Sequence, residues 1–184
     1  MNIDKYNFDG LNTIHNCEFL SDKKFKKAYE RGVKAVGKDY QWYWRVHVGL
    51  WAANIAVRLD GDFVECGVNK GFLSSSIMDY LDWNKLNKKF YLLDTFCGID
   101  LTLVSEEEKE LNIEEKNQKL IDNNFYTLDI KSVIDNFSEF KNVEIIKGSI
   151  PHTLENIKSD KIAFASIDLN CSPPEVAAME FLWE

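Results

Sequence analysis

Phe63-Val64-Glu65-Cys66-Gly67-Val68-Asn69-Lys70-Gly71 is the stretch from which the fold can be read. Phe63 to Val68 is a short, mainly apolar run that closes on glycine, and Leu73, Ile77 and Leu81 follow at helical spacing. The stretch therefore reads as strand, tight turn, helix. The alternation returns downstream as strand Phe90 to Asp94, helix Tyr126 to Phe140, strand Val143 to Lys147, short helix Pro151 to Ile157 and strand Ile162 to Asp168. Strands this apolar need cover on both sides, so the pattern predicts an α/β, Rossmann-like parallel sheet with helices on both faces.

Upstream of that stretch, Phe19 to Leu59 reads as helical, and Gly61-Asp62 ends the run. Trp44, Val48, Trp51, Ile55 and Leu59 recur every three or four residues, an apolar stripe expected to pack on something larger. Residues 1–60 are thus a helical segment packing on a core of 61–184. Within that core Ser172-Pro173-Pro174-Glu175 opens a helix, with Ser172 as cap, Pro173 in the first turn and Glu175 closing a capping box. This helix runs through Val176, Met179 and Trp183 to Glu184 with no stop signal, so the fold is expected to be truncated after its fourth strand and the following helix. Ile162 to Ile167 would then be an unpaired apolar edge, from which homodimerisation or aggregation follows.

Residues 99–125 break the rhythm. They are too long for an ordinary connection and carry Glu106, Glu107, Glu108, Glu110, Glu114 and Glu115. A solvated acidic helix and a lid over the strand ends both fit, and the two are compatible.

The chain has 184 residues, 45% hydrophobic and 13% aromatic, enough for one substantial core. Its net charge of -8 argues against a nucleic-acid or anionic-membrane surface, since both partners require a basic face. A small-molecule partner is expected instead. Cys17, Cys66, Cys97 and Cys171 form no C-x-x-C pair, and Met1 to Asp9 offers no apolar leader, so a cytoplasmic protein with reduced thiols is expected.

In an open parallel sheet, ligands sit beyond the carboxyl ends of the strands where strand order reverses. Those ends carry Glu65 to Gly71, Asp94 to Gly98, Gly148-Ser149 and Asp168 to Asn170, and three of the four bring a carboxylate. The dinucleotide fingerprint G-x-G-x-x-G is unmet, because only Gly67 and Gly71 are present. A pyrophosphate would also be repelled by Glu65, Asp94 and Asp168. S-adenosylmethionine has a ribose diol, an ammonium and a sulfonium, and it fits better. Asp94, 23 residues after Gly71, is placed to accept both ribose hydroxyls, Glu65 to face the ammonium, and Gly67 and Gly71 to let the backbone approach the methionine part. A nicotinamide-dependent oxidoreductase and a non-catalytic nucleoside-binding or assembly module are the alternatives.

At these residues the sequence resembles the macrocin O-methyltransferase (TylF) family of S-adenosylmethionine-dependent enzymes, which methylate sugar hydroxyls. The resemblance rests on Gly61 to Val68, Leu93-Asp94-Thr95-Phe96-Cys97-Gly98-Ile99, Ile146 to Leu154 and Ser166 to Asn170. It implies cofactor binding by Glu65, Gly67, Val68, Gly71, Asp94, Thr95 and Phe96, with Gly148, Ser149 and Ile150 near the adenine. It also implies a magnesium ion held by Asp168 and by an Asp-Asp pair after a fifth strand beyond Glu184. Asp168 would be both metal ligand and catalytic residue, and the acceptor would be a glycan or glycosylated small molecule. Where relatives show Asp-x-Asp-Leu-Tyr this chain has Asp168-Leu169-Asn170-Cys171-Ser172, one carboxylate fewer, and 99–125 lacks the histidine some relatives place there. His47 and His152 are the remaining candidate bases, His47 reading first as a packing residue and His152 as a solvated one. Trp42, Trp44 and Trp51 read as core or interface residues.

Overall fold

The computed structural model describes residues 6–183, so Met1 to Lys5 and Glu184 lie outside the described residues. The chain opens with a hairpin, β1 (Tyr6–Phe8) and β2 (Leu11–Thr13), turned by Asp9-Gly10. Both turn residues have positive φ (52° and 71°), the conformation that Asp-Gly tolerates best in a two-residue loop. Two helices follow, α1 (Lys23–Val36) and α2 (Tyr43–Ala56). The continuous helical run expected over Phe19 to Leu59 is therefore broken. Gly37 caps α1 in the left-handed region, and the turn after it is pinned by Asp39, which accepts from the Tyr29 hydroxyl at 2.6 Å and the Gln41 amide at 2.7 Å.

The sheet consists of β3 (Asp62–Cys66), β4 (Phe90–Asp94), β5 (Val143–Lys147) and β6 (Ile162–Ile167), all parallel, in the order β5-β4-β3-β6. Its helices are α3 (Phe72–Tyr80), α4 (Glu106–Glu110), α5 (Ile113–Asp122), α6 (Ile130–Phe137) and α7 (Ser172–Trp183). Strand order reverses at β3, whose neighbours β4 and β6 lie on opposite sides of it.

Successive strand residues alternate between two cores. Phe63, Phe90, Leu92 and Phe164 face one side with residues of α1, α2, α3 and α6, while Val64, Cys66, Tyr91, Leu93 and Ile146 face the other with Leu154, Ile157 and Ala178. The amino-terminal helices share the first core, and Arg31 of α1 reaches α6, donating to the Asn136 carbonyl at 2.6 Å and to Glu139 at 2.9 Å.

Four local expectations change. The α2 residues that reach the core are Val46, Leu50, Ala53 and Ala56, whereas Val48, Trp51, Ile55 and Leu59 of the expected packing stripe are exposed, Trp51 at 62%. In a helix this apolar, the spacing alone does not say which face turns inward. The helix expected from Tyr126 begins only at Ile130, because Asp129 caps it and the Thr127 amide is bonded to Asn69. Pro151 to Ile157 is a turn followed by a short 3-10 segment over Leu154–Asn156. Glu175 does reach back, but to the Leu169 and Asn170 amides at 2.9 and 3.2 Å, and the Ser172 amide is taken by Glu108 at 2.7 Å.

Candidate active site

A cavity of about 300 Å³ opens over the carboxyl ends of β3, β4 and β6. Glu65, Gly67, Val68, Asp94, Thr95, Ser149, Ile150 and Asp168 all line it, so most of the residues singled out in the sequence meet in one place. Glu65 ends up there because its place in β3 turns its side chain away from Val64 and Cys66, toward α3. It is 5% exposed, and its Oε2 has no hydrogen-bond partner. Burial pushes its carboxyl up to about 8; Ser74 on α3 opposes the shift, and the charges of Asp94 and Asp168 reinforce it.

Asp94 is gripped by backbone. Its Oδ2 accepts from the Asn69 amide and its Oδ1 from the Phe96 amide, both at 2.7 Å, leaving a second lone pair on each oxygen for a ligand. The Thr95 hydroxyl donates to the Gly98 carbonyl at 2.5 Å and so shapes the turn that leads to the lid.

Three expected cofactor residues do not line the cavity. The Phe96 side chain is buried in the first core, and only its amide serves the site. Gly71, at φ 82°, has no room for a Cβ because Phe137 of α6 lies there. Gly148 extends the sheet by donating to the Asp94 carbonyl at 2.9 Å. Gly67 does line the cavity, but its reason for being glycine is internal: at φ 92° a Cβ would collide with the Asp168 carbonyl. Both glycines are fixed by how β3 meets its neighbours, which is a different cause from close approach to a ligand.

The two ends of residues 99–125 border this opening. Ile99, Asp100 and Leu103 line the cavity, the Ser149 hydroxyl donates to Asp100 at 2.5 Å, and the Ile99 amide donates to buried Asn117 at 2.9 Å. Glu108 closes a capping box with Ser105 and, with its other oxygen, accepts from Ser172 at the start of α7. The glutamates Glu106, Glu107 and Glu110 remain exposed, so this segment presents an acidic helical surface.

A second wall is not assigned from the sequence, where Trp42 reads as a core or interface residue. Tyr40 and Trp42, from the turn between α1 and α2, stack at 4.5 Å, and Phe125 meets them edge-on at 5.7 and 6.2 Å. All three rings line the cavity, as do Tyr126 and Arg45; the Arg45 guanidinium lies 5.0 Å from the Trp42 ring and is held by Asp9. Burial pushes the Tyr126 hydroxyl up to about 12, with Asp168 and Asp94 adding to it. The break at Gly37-Lys38-Asp39 was the available signal that Trp42 does not sit mid-helix.

Neither candidate histidine reaches the site. His47 stacks on Phe19 at 4.0 Å, and burial lowers its pKa; His152 is exposed outside the cavity. Asp168 is exposed beside Asn170, and among the described residues no group of three or more His, Cys, Asp or Glu side chains is placed to hold a metal ion. No helix among them is long and apolar enough to cross a membrane.

The parallel sheet, the helices on its two faces and the pocket at its switch point define an α/β protein of the Rossmann-like class. The solved structure of the O-methyltransferase NovP is similar, with a TM-score of 0.61 at 20% identity; the match covers 76% of this chain and 59% of that one. No curated protein matches the sequence. The family model of macrocin-O-methyltransferase (TylF) matches residues 50–184, and the chain belongs to that family of methyltransferase enzymes.

Proposed function

We propose that the cavity binds S-adenosylmethionine and that the protein is an O-methyltransferase acting on a ring hydroxyl of a glycan or glycosylated small molecule. One observation carries this reading: Glu65 is buried with an unpartnered oxygen in a cavity it shares with Asp94 and Asp168. A pocket with that charge calls for a cation and disfavours a pyrophosphate. Asp94, its carboxylate held by two backbone amides, accepts the ribose hydroxyls, and Glu65 receives the ammonium. Ser149 and Ile150 border the adenine end.

When bound, the cofactor supplies an electrophilic methyl group on a sulfonium. The residues of this chain supply alignment, which is the main contribution in such a displacement. Tyr40, Trp42 and Phe125 offer ring faces and edges against which the C–H face of a sugar can lie. Asp168, exposed at the β6 end, would take the proton from the acceptor hydroxyl as its oxygen bonds to the methyl carbon and the methyl–sulfur bond breaks, the sulfur leaving as a neutral thioether. Magnesium is commonly held by one or two carboxylates together with water and substrate. Asp168 with Asn170 offers one carboxylate and one amide, and among the described residues no group of three or more ligating side chains gathers there, so no step is routed through a metal.

Calorimetry with S-adenosylhomocysteine, adenosine and NAD in parallel tests the reading. Tight 1:1 binding of S-adenosylhomocysteine, with adenosine much weaker and NAD silent, is the expected result. Equal affinity for adenosine and S-adenosylhomocysteine would remove the role given to Glu65, and preferential NAD binding would return the oxidoreductase reading.

A further inference from the structure

We infer that Asn69 is a positioning residue, tying the cofactor seat at Asp94 to the end of the lid and through it to the aromatic wall. This rests on the cavity being an S-adenosylmethionine site. Asn69 follows β3 at φ 50°, a left-handed conformation that asparagine tolerates. In that conformation its backbone and side chain act in different directions. Its amide donates to Asp94 Oδ2 at 2.7 Å, its Nδ2 donates to the Phe125 carbonyl at 2.8 Å, and its Oδ1 accepts from the Thr127 amide at 2.9 Å. Lys70 adds a parallel tie, its Nζ donating to the Asn124 carbonyl at 2.6 Å.

The consequence is mechanical. Phe125 carries one of the three rings of the wall, and its backbone is bonded to the same residue that fixes the Asp94 carboxylate. A ribose diol on Asp94 holds that carboxylate, and with it Asn69, in one position. The lid end is then gripped at two points, and Phe125 is set against Tyr40 and Trp42. An empty seat leaves Asp94 and Asn69 freer, and the wall less ordered. Cofactor binding thereby completes the surface on which the acceptor lies, which favours cofactor first and acceptor second.

Asn69→Gly isolates the coupling. Glycine keeps the backbone amide for Asp94 and adopts the same φ without strain, so only the two side-chain bonds to the lid are lost. In the parent chain, S-adenosylhomocysteine should slow amide hydrogen exchange across residues 125–127. In N69G that slowing should disappear and the dissociation constant should rise about tenfold, the scale of two neutral hydrogen bonds. Asn69→Asp keeps the acceptor for Thr127 and should restore protection of that amide alone, a selective rescue that loss of folding would not produce. The coupling is overturned if the parent binds S-adenosylhomocysteine with no change in exchange at 125–127, if N69G matches the parent, or if N69D leaves Thr127 unprotected. A parent chain that does not bind S-adenosylhomocysteine overturns the cofactor reading itself, and this inference with it.

Discussion

Glu65 holds a carboxyl where a protein interior disfavours the charged form, and the consequences can be worked out in sign. Unfolded, it titrates near 4.5; folded, near 8. Below 4.5 both states hold the proton. As pH rises from there, the unfolded chain releases its proton while the native one keeps it, so the stability present at low pH is lost up to about pH 8 and then levels off. The loss is on the order of 5 kcal/mol. Glu65→Gln should therefore raise the melting temperature at pH 8 and leave it nearly unchanged at pH 4, while weakening S-adenosylhomocysteine by tenfold or more. A second outcome follows from the same group. An ammonium arriving at a protonated Glu65 favours the carboxylate, so binding at pH 7 should release close to one proton, read as a calorimetric heat that changes with the ionisation enthalpy of the buffer. A buffer-independent heat would mean that the ammonium sits elsewhere.

Among the elements, the lid and the turn between α1 and α2 carry the next consequences. Glu108 caps α4 with one oxygen and holds the Ser172 amide with the other, and these two bonds to backbone keep its carboxyl below the usual range. Glu108→Ala removes both contacts. Faster amide exchange over residues 105–110 and at the start of α7 is expected, with little change in the melting temperature of the sheet, because α4 packs no residue into either core. On the opposite wall, Trp42→Ala should leave S-adenosylhomocysteine affinity within about twofold, since the cofactor contacts assigned above come from the strand ends. The same variant should raise the KM of a methyl acceptor by about twofold to tenfold, the worth of a ring stacked on tryptophan. A parallel fall in cofactor affinity would place Trp42 in the cofactor site instead.

At the scale of the whole molecule, β6 pairs with β3 on one side, and among the described residues no strand covers the other. α2 and α7 pack against opposite faces of the sheet beside it and turn Val48, Trp51 and Ile55, and Val176, Met179 and Trp183, to solvent. An apolar edge flanked by two apolar helix faces is a site for association. These 184 residues should run larger than a monomer in light scattering at micromolar concentration, and Trp51→Glu with Met179→Glu should shift them toward monomer without lowering the melting temperature. A monodisperse parent monomer would contradict this.

Several features were fixed by the sequence alone, because each depends on residues close in the chain. The apolar runs ending in Glu65-Cys66-Gly67, Asp94 and Asp168 made the strands, and the intervening helical periods required a parallel sheet. That requirement placed three carboxylates at strand ends, and the cavity brings all three together. Tertiary packing decided the rest. Whether α2 buried Leu50 or Trp51 depended on which face met the sheet, and an all-round apolar helix does not encode that choice. The glycines answer to neighbours distant in sequence, Gly67 to Asp168 and Gly71 to Phe137. Trp42, Phe125 and Asn69 come from three separate segments, and only the folding of the lid end and the α1–α2 turn over the strand ends sets them around one cavity.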